Sequence, residues 1–151
     1  MPEFNSRQAA LIAAGSKTLS NAIGKKRVLV MTSPATAAWA QNDTFASGVL
    51  LPKGTRFTCG SFASHAAMGA GVTLDVGLRN FRTKTVIDAD GIAAAVAVAT
   101  AGRTELNNGV LVANGAEYVA LEDVEVYATL TGADPTDNAQ IRLEIEYISY
   151  D

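Results

Sequence analysis

Val72-Thr73-Leu74-Asp75-Val76-Gly77-Leu78-Arg79 places an apolar residue at every second position, with a hydroxyl, a carboxylate, a glycine and a guanidinium between them. Successive side chains of an extended strand point to opposite faces, so this stretch reads as a strand with one face on a core and the other in water. The same period returns where Val124, Val126, Ala128 and Leu130 alternate with Asp123, Glu125, Tyr127 and Thr129. It returns again where Ile141, Leu143, Ile145 and Tyr147 alternate with Arg142, Glu144 and Glu146. These three half-buried strands predict an antiparallel sheet protein.

Working outward, Arg27 to Met31 is rich in β-branched and large apolar residues and reads as a first strand. Thr44 to Leu51 is a second, closed by Leu51-Pro52-Lys53-Gly54, where Pro presets the second position of a tight turn and Gly takes the fourth. Arg56 to Ala66 is a third, and Lys84 to Ile87 supplies a short one after the opening stretch. From Asp88 to Ala99 the signals conflict, because Ala favours helix while Val96 and Val98 favour strand. A short helix over Ile92 to Ala95, or a loop running into a strand, fits equally. Asn108-Gly109 and Asn114-Gly115 both suit primed turns, yet they lie too close together to end two full strands, so one is a bulge or edge turn. Gly132 to Asn138 has hairpin-loop chemistry and joins the last two strands.

About eight short strands punctuated by Gly, Pro and Asn describe an all-β fold, a jelly-roll-like antiparallel β-sandwich over residues 25–151. No fixed-period repeat points to a propeller or solenoid. Residues 1–24 differ in texture, with small apolar clusters ending at Gly15 and Gly24, and read as a short, partly helical N-terminal arm that needs a surface to lie on.

The 151 residues suit one domain, which at this size buries roughly 68–70% of its unfolded surface. Charged residues make up 18%, against roughly a quarter in ordinary domains, which leaves more neutral surface, from an Ala-rich makeup or from coverage by partners. A net charge of −3 gives no reason to expect nucleic acid. The charge is polarised: Arg7, Lys17, Lys25, Lys26 and Arg27 face only Glu3 at the start. Glu117, Glu122, Asp123, Glu125, Asp134, Asp137, Glu144, Glu146 and Asp151 face one Arg142 at the end. No signal peptide and no apolar run of about 18 residues is present, so the expectation is a soluble protein folded in a cytoplasm, with no membrane partner.

Chemistry is scarce. Cys59 has no second cysteine to pair with and reads as a small buried hydrophobe. His65, near Ser61 and Ser64, lacks the elbow and orienting carboxylate of a triad, so it reads as a strand histidine at a sheet surface or subunit contact. Asp88-Ala89-Asp90-Gly91 begins like a calcium loop but lacks the later ligands, and Asp134, Asp137 and Asn138 read as turn residues that cap backbone amides. Gly15-Ser16-Lys17-Thr18 lacks the upstream glycine and the preceding strand of a phosphate loop. The lone Trp39 suits a lid on the core or an anchor in a contact. No catalytic residue, metal site or cofactor is expected. With one His, a metal-holding cupin-type enzyme lacks its ligands.

Several segments together resemble a known group. They are an Ala-rich arm ending in Arg27-Val28-Leu29-Val30, the run QNDTFASGVLLPKGTR from Gln41 to Arg56, and Val72 to Leu78. Asp88-Ala89-Asp90-Gly91-Ile92, Val126 to Gly132 and a last strand rich in Ile and Glu complete the pattern. It resembles the jelly-roll cement or decoration proteins of tailed-bacteriophage capsids. The resemblance implies a virion structural protein, not an enzyme, assembled in the bacterial host cytoplasm. Such a protein sits on the outer surface of the head, binds the major capsid protein, self-associates as a dimer or trimer, and stabilises the shell. Arg7, Lys17, Lys25, Lys26, Arg27 and Trp39 are the expected capsid-contact residues. The alternative is a phage tail, baseplate or glycan- or receptor-binding sandwich, although one Trp and four Tyr are few aromatic platforms for sugar.

Overall fold

The computed structural model of the chain describes residues 13–15, 24–34 and 38–149. Ten strands follow in order: β1 (Lys25–Thr32), β2 (Thr44–Ala46), β3 (Arg56–Phe57), β4 (Ser61–His65), β5 (Thr73–Asn80), β6 (Val86–Ala97), β7 (Gly102–Leu106), β8 (Tyr118–Val119), β9 (Val124–Thr131) and β10 (Ile141–Ser149). One antiparallel sheet sets β10 between β1 on one side and β3 with β4 on the other, with β8 and β7 beyond them. The second runs β2-β9-β5-β6. The pairings are nested: β1 with β10, β2 with β9, β3 with β8, β4 with β7, β5 with β6. The chain is therefore one long hairpin rolled into two sheets, which is a jelly roll.

The alternating stretches form the inner faces. Leu74, Val76 and Leu78 of β5, Val124, Val126, Ala128 and Leu130 of β9, and Ile141, Leu143 and Ile145 of β10 are all fully buried. Leu29, Met31, Phe57, Ala63, Ile92 and Leu106 complete the core between the sheets.

The structure departs from the sequence reading where backbone geometry outvotes pattern. The second expected strand stops at Ala46, because Gly48 turns to φ 65°, and Leu51 rejoins the sheet only through a bridge to Val124. The turn after it is shifted by one residue. Thr55 N donates to Pro52 O, so Pro52 is first and Gly54 third, with the φ of 91° that glycine tolerates there. The third expected strand breaks into β3 and β4, because Glu146 of β10 turns its carboxylate into the gap. Thr58 Oγ1 donates to it, and a Cβ on Gly60 would collide with it. Cys59, carried out of the ladder by the same break, is exposed rather than buried.

The ambiguous Ala-rich segment is strand. β6 runs the length of β5, and pairing with that neighbour outweighs alanine's helical preference. Between Val76↔Ala93 and Leu78↔Asp88 it bulges, and the extra residues pass over Gly77, whose missing side chain leaves room for the carbonyls of Asp88 and Ala89. The outer rim of β6 is closed by the segment after β7. Gly109 N and Leu111 N donate to the carbonyls of Ile92 and Gly91, and the Asn108 amide spans both backbone groups of Ala94 at 3.0 and 2.7 Å. Asn108-Gly109 is thus an edge seal, whereas Asn114-Gly115, at φ 56° and 79°, is the primed turn. The loop from Gly132 to Asn138 is no hairpin, since it carries the chain from β9 in one sheet to β10 in the other.

Leu143→Ala removes a fully buried side chain from the middle of β10. Denaturant unfolding should show a loss of about 2–5 kcal/mol, while Val30→Ala, on the open face of β1, should stay within about 0.5 kcal/mol of the parent.

Candidate assembly surfaces

Three of the five basic residues singled out from sequence fall on one edge. Lys25, Lys26 and Arg27 occupy the start of β1, all exposed, in register with Ser149, Ile148 and Tyr147 of β10. Lys26 Nζ reaches Glu146 Oε2 at 2.7 Å. Arg7 and Lys17 lie outside the described residues, as does all of the Gly15-Ser16-Lys17-Thr18 motif after its glycine. Trp39 is spent inside the fold, 9% exposed, its indole N–H donating to Ala139 O at 3.1 Å and its ring tilted against Phe45. It is a lid on the core, so a partner can meet its loop but not its ring.

Asp137 and Asp134 hold that lid by accepting from the backbone N–H groups of Trp39 and Gln41 at 3.1 and 2.9 Å. The acidic turn is thus a clasp across the end of the sandwich, the capping role its residue types suggest. His65 is buried in β4 between Ala66 O and Thr104 Oγ1, each 3.0 Å from a ring nitrogen, and Ser61 Oγ instead accepts from Glu146 N. Neither ring partner is a carboxylate, so no triad geometry forms around it. Asp90 N donates to Asp88 Oδ1, and the Asp90 carboxyl is held above its ordinary range by its hydrogen bond to Asp88, by burial, and by the charges of Asp88 and Asp75. Among the described residues, no group of three or more His, Cys, Asp and Glu is placed to hold a metal ion, and no helix is long and apolar enough to cross a membrane.

Part of the outer face of the second sheet escaped the sequence reading. Glu125 was expected on a wet face, yet it is 1% exposed, with Arg79 Nε at 2.7 Å and Lys84 Nζ at 2.6 Å from the same oxygen. Burial raises its pKa, but hydrogen bonds and charge from Lys84 and Arg79 outweigh burial and hold it below the ordinary value. Arg79 also lies over the Tyr127 ring, 5.1 Å from its centroid, which helps to roof this side of the second sheet. The outer face of the first sheet, by contrast, is open. It carries Val28 and Val30 at about half exposure and the ion pairs Lys26–Glu146, Arg142–Glu144 and Arg103–Glu105, and Arg103 covers Phe62. Such exposed pairs stabilise little, so this face is better suited to contact than to holding the fold together.

No protein-family model matches the sequence, and no curated protein matches it. Solved structures do. A chain in the capsid of Ralstonia phage GP4 is similar with a TM-score of 0.64 and 18% identity, over 85% of this chain and 86% of that one. A chain in the cyanophage Pam1 capsid gives 0.57 and 18% identity, over 98% and 99%. A chain in the acid-stable capsid of Helicobacter pylori bacteriophage KHP30 gives 0.52 and 17% identity, over 85% and 92%. At these identities the likeness is one of fold. The chain has an antiparallel jelly roll of the kind found in phage capsids.

The Glu125 cluster has a pH signature. Its lowered folded-state pKa means that its stabilisation is present above the ordinary value of 4.5 and lost as the pH falls through the folded value. Glu125→Gln should cost about 1.5–3 kcal/mol at neutral pH, because it removes hydrogen bonds to charged groups. Urea unfolding at a series of pH values should show the gap to the parent narrowing below 4.5. A gap that stays constant into acid would mean that no ionised pair is at stake.

Proposed function

We propose that the chain is a structural protein of a phage virion, which binds the outside of the shell built by the major capsid protein and cements it. The observation that carries this reading is the fold shared with chains of three phage capsids, over 85% to 98% of this chain. The chemistry fits. His65, Ser61, Asp134 and Asp137 are committed to hydrogen bonds within the fold, which suits a role played by surfaces.

A standard interface buries about 1,600 Å², and its strength rests on a few anchors. Repeated over a symmetric shell, even modest contacts add up to mechanical resistance through high effective concentration. Lys25, Lys26 and Arg27, exposed together at the start of β1, form the cationic end that meets acidic surface of its neighbours in the shell. Charge of this kind sets encounter rate and register more than affinity. Residues 1–24 extend the same basic region as an arm, and residues 25–151 form the folding unit that carries it.

The test uses empty expanded heads of the encoding phage and the purified chain. Co-sedimentation should saturate at a fixed number of copies per head. Reversing Lys25, Lys26 and Arg27 to Glu should slow association roughly tenfold or more at low salt and flatten its salt dependence. Removing residues 1–24 should weaken binding while the circular dichroism of the sandwich is kept. A chain that stays in the supernatant at every concentration rejects the reading.

A further inference from the structure

An outer strand leaves a row of backbone donors and acceptors unused, so sheet edges are where β proteins join. Among the described residues, this sandwich treats its edges unequally. In the second sheet β2 is three residues long, and β6 is sealed by the segment through Asn108. In the first sheet β1 is eight residues long and in unbroken register with β10. Val28 and Val30 stand 52% and 49% exposed beside its cationic end.

The opposite edge of that same sheet is its counterpart. Between β7 and β8 the chain leaves an open notch of about 500 Å³, lined by Cys59, Asn107, Val112 and Asn114 among others. Around β8 stand Val119 and Leu121, 37% and 74% exposed, with Glu117, which pairs with Arg56 at 3.7 Å, and Glu122, which accepts from Asn80 Nδ2, in the same stretch. The two edges also match in level. Lys26 pairs with Ile148, Ile148 with Arg56, and Arg56 with Val119, so Lys26 and Val119 end one row. Val28 pairs with Glu146, against whose carboxylate Gly60 is packed, so the notch beside Cys59 lies on the row of Val28.

We propose that these two edges are the complementary halves of one contact between copies of this chain. β1 of one copy lies antiparallel beside β8 of the next, Val28 enters the notch, and Lys25 and Lys26 meet Glu117 and Glu122. Because the two surfaces differ, the contact runs head to tail, and copies related by rotation close into a ring. Pairing β1 with a second β1 would set no carboxylate of a facing strand against Lys25. The inference deepens the reading of the chain as a repeated structural unit and rests on it.

The test needs no heads. Size-exclusion chromatography with light scattering should show the native chain as an oligomer. Lys25→Glu with Lys26→Glu, and separately Val119→Lys with Leu121→Lys, alter exposed positions and should leave circular dichroism and thermal unfolding close to native. Each double variant alone should associate roughly tenfold or more weakly, and mixing the two should restore association, because the charges are then exchanged across the contact. A native chain that is monomeric at the highest clear concentration overturns the proposal. So does a Val119→Lys, Leu121→Lys variant that associates like the native chain. Co-sedimentation separates this result from the proposed function: a monomer that pellets with heads overturns the edge contact alone, whereas an oligomer that never pellets overturns the function alone.

Discussion

The whole architecture depends on the first strand closing on the last. β1 pairs with β10 along its full length, and beside that pairing Ile141 N donates to Ser33 Oγ while the Trp39 indole donates to Ala139 O. These partners are 108 and 100 residues apart. Closing so long a loop costs entropy that grows only logarithmically with length, so stability tolerates it. Rate does not. Nested pairing makes almost every sheet contact non-local except the β5–β6 hairpin, and non-local topology folds slowly. The local turn at that hairpin is correspondingly well made, with Asn80 Oδ1 accepting from both Arg82 N and Thr83 N at 2.8 Å.

Sheet class and core face were legible because one physical rule governs both. Alternation in β5, β9 and β10 can satisfy a half-buried strand and little else, and every inward residue named from it between Val72 and Ile145 is buried. The departures follow from contacts that no local pattern encodes. β6 is strand because β5 lies beside it, β3 and β4 part because Glu146 needs room, and the loop after β9 changes sheets because the roll demands it.

Surface chemistry was less legible. Asp134 and Asp137 behave as their turn chemistry suggests, but the backbone amides they cap lie more than ninety residues away. Glu125 occupies a polar position of a perfect alternation and still ends buried. Arg79 stands opposite it in register, and the Lys84 turn folds over it. Arg79 was in plain view in the neighbouring alternating stretch, yet the register that joins the two is a property of the fold. Cys59 shows the converse: an apolar side chain is turned out because a neighbour's carboxylate displaced its strand from the ladder.

The side-chain amide of Asn108, by occupying both backbone groups of Ala94, stands in for a missing strand. It does so beside Ile92-Ala93-Ala94-Ala95-Val96-Ala97-Val98, an uncharged, proline-free heptad whose composition suits cross-β stacking. That carboxamide, with Gly109 N and Leu111 N beside it, keeps the outer backbone groups of this segment from pairing with another chain. A strand whose composition invites stacking is thereby tolerated at the rim of a sheet.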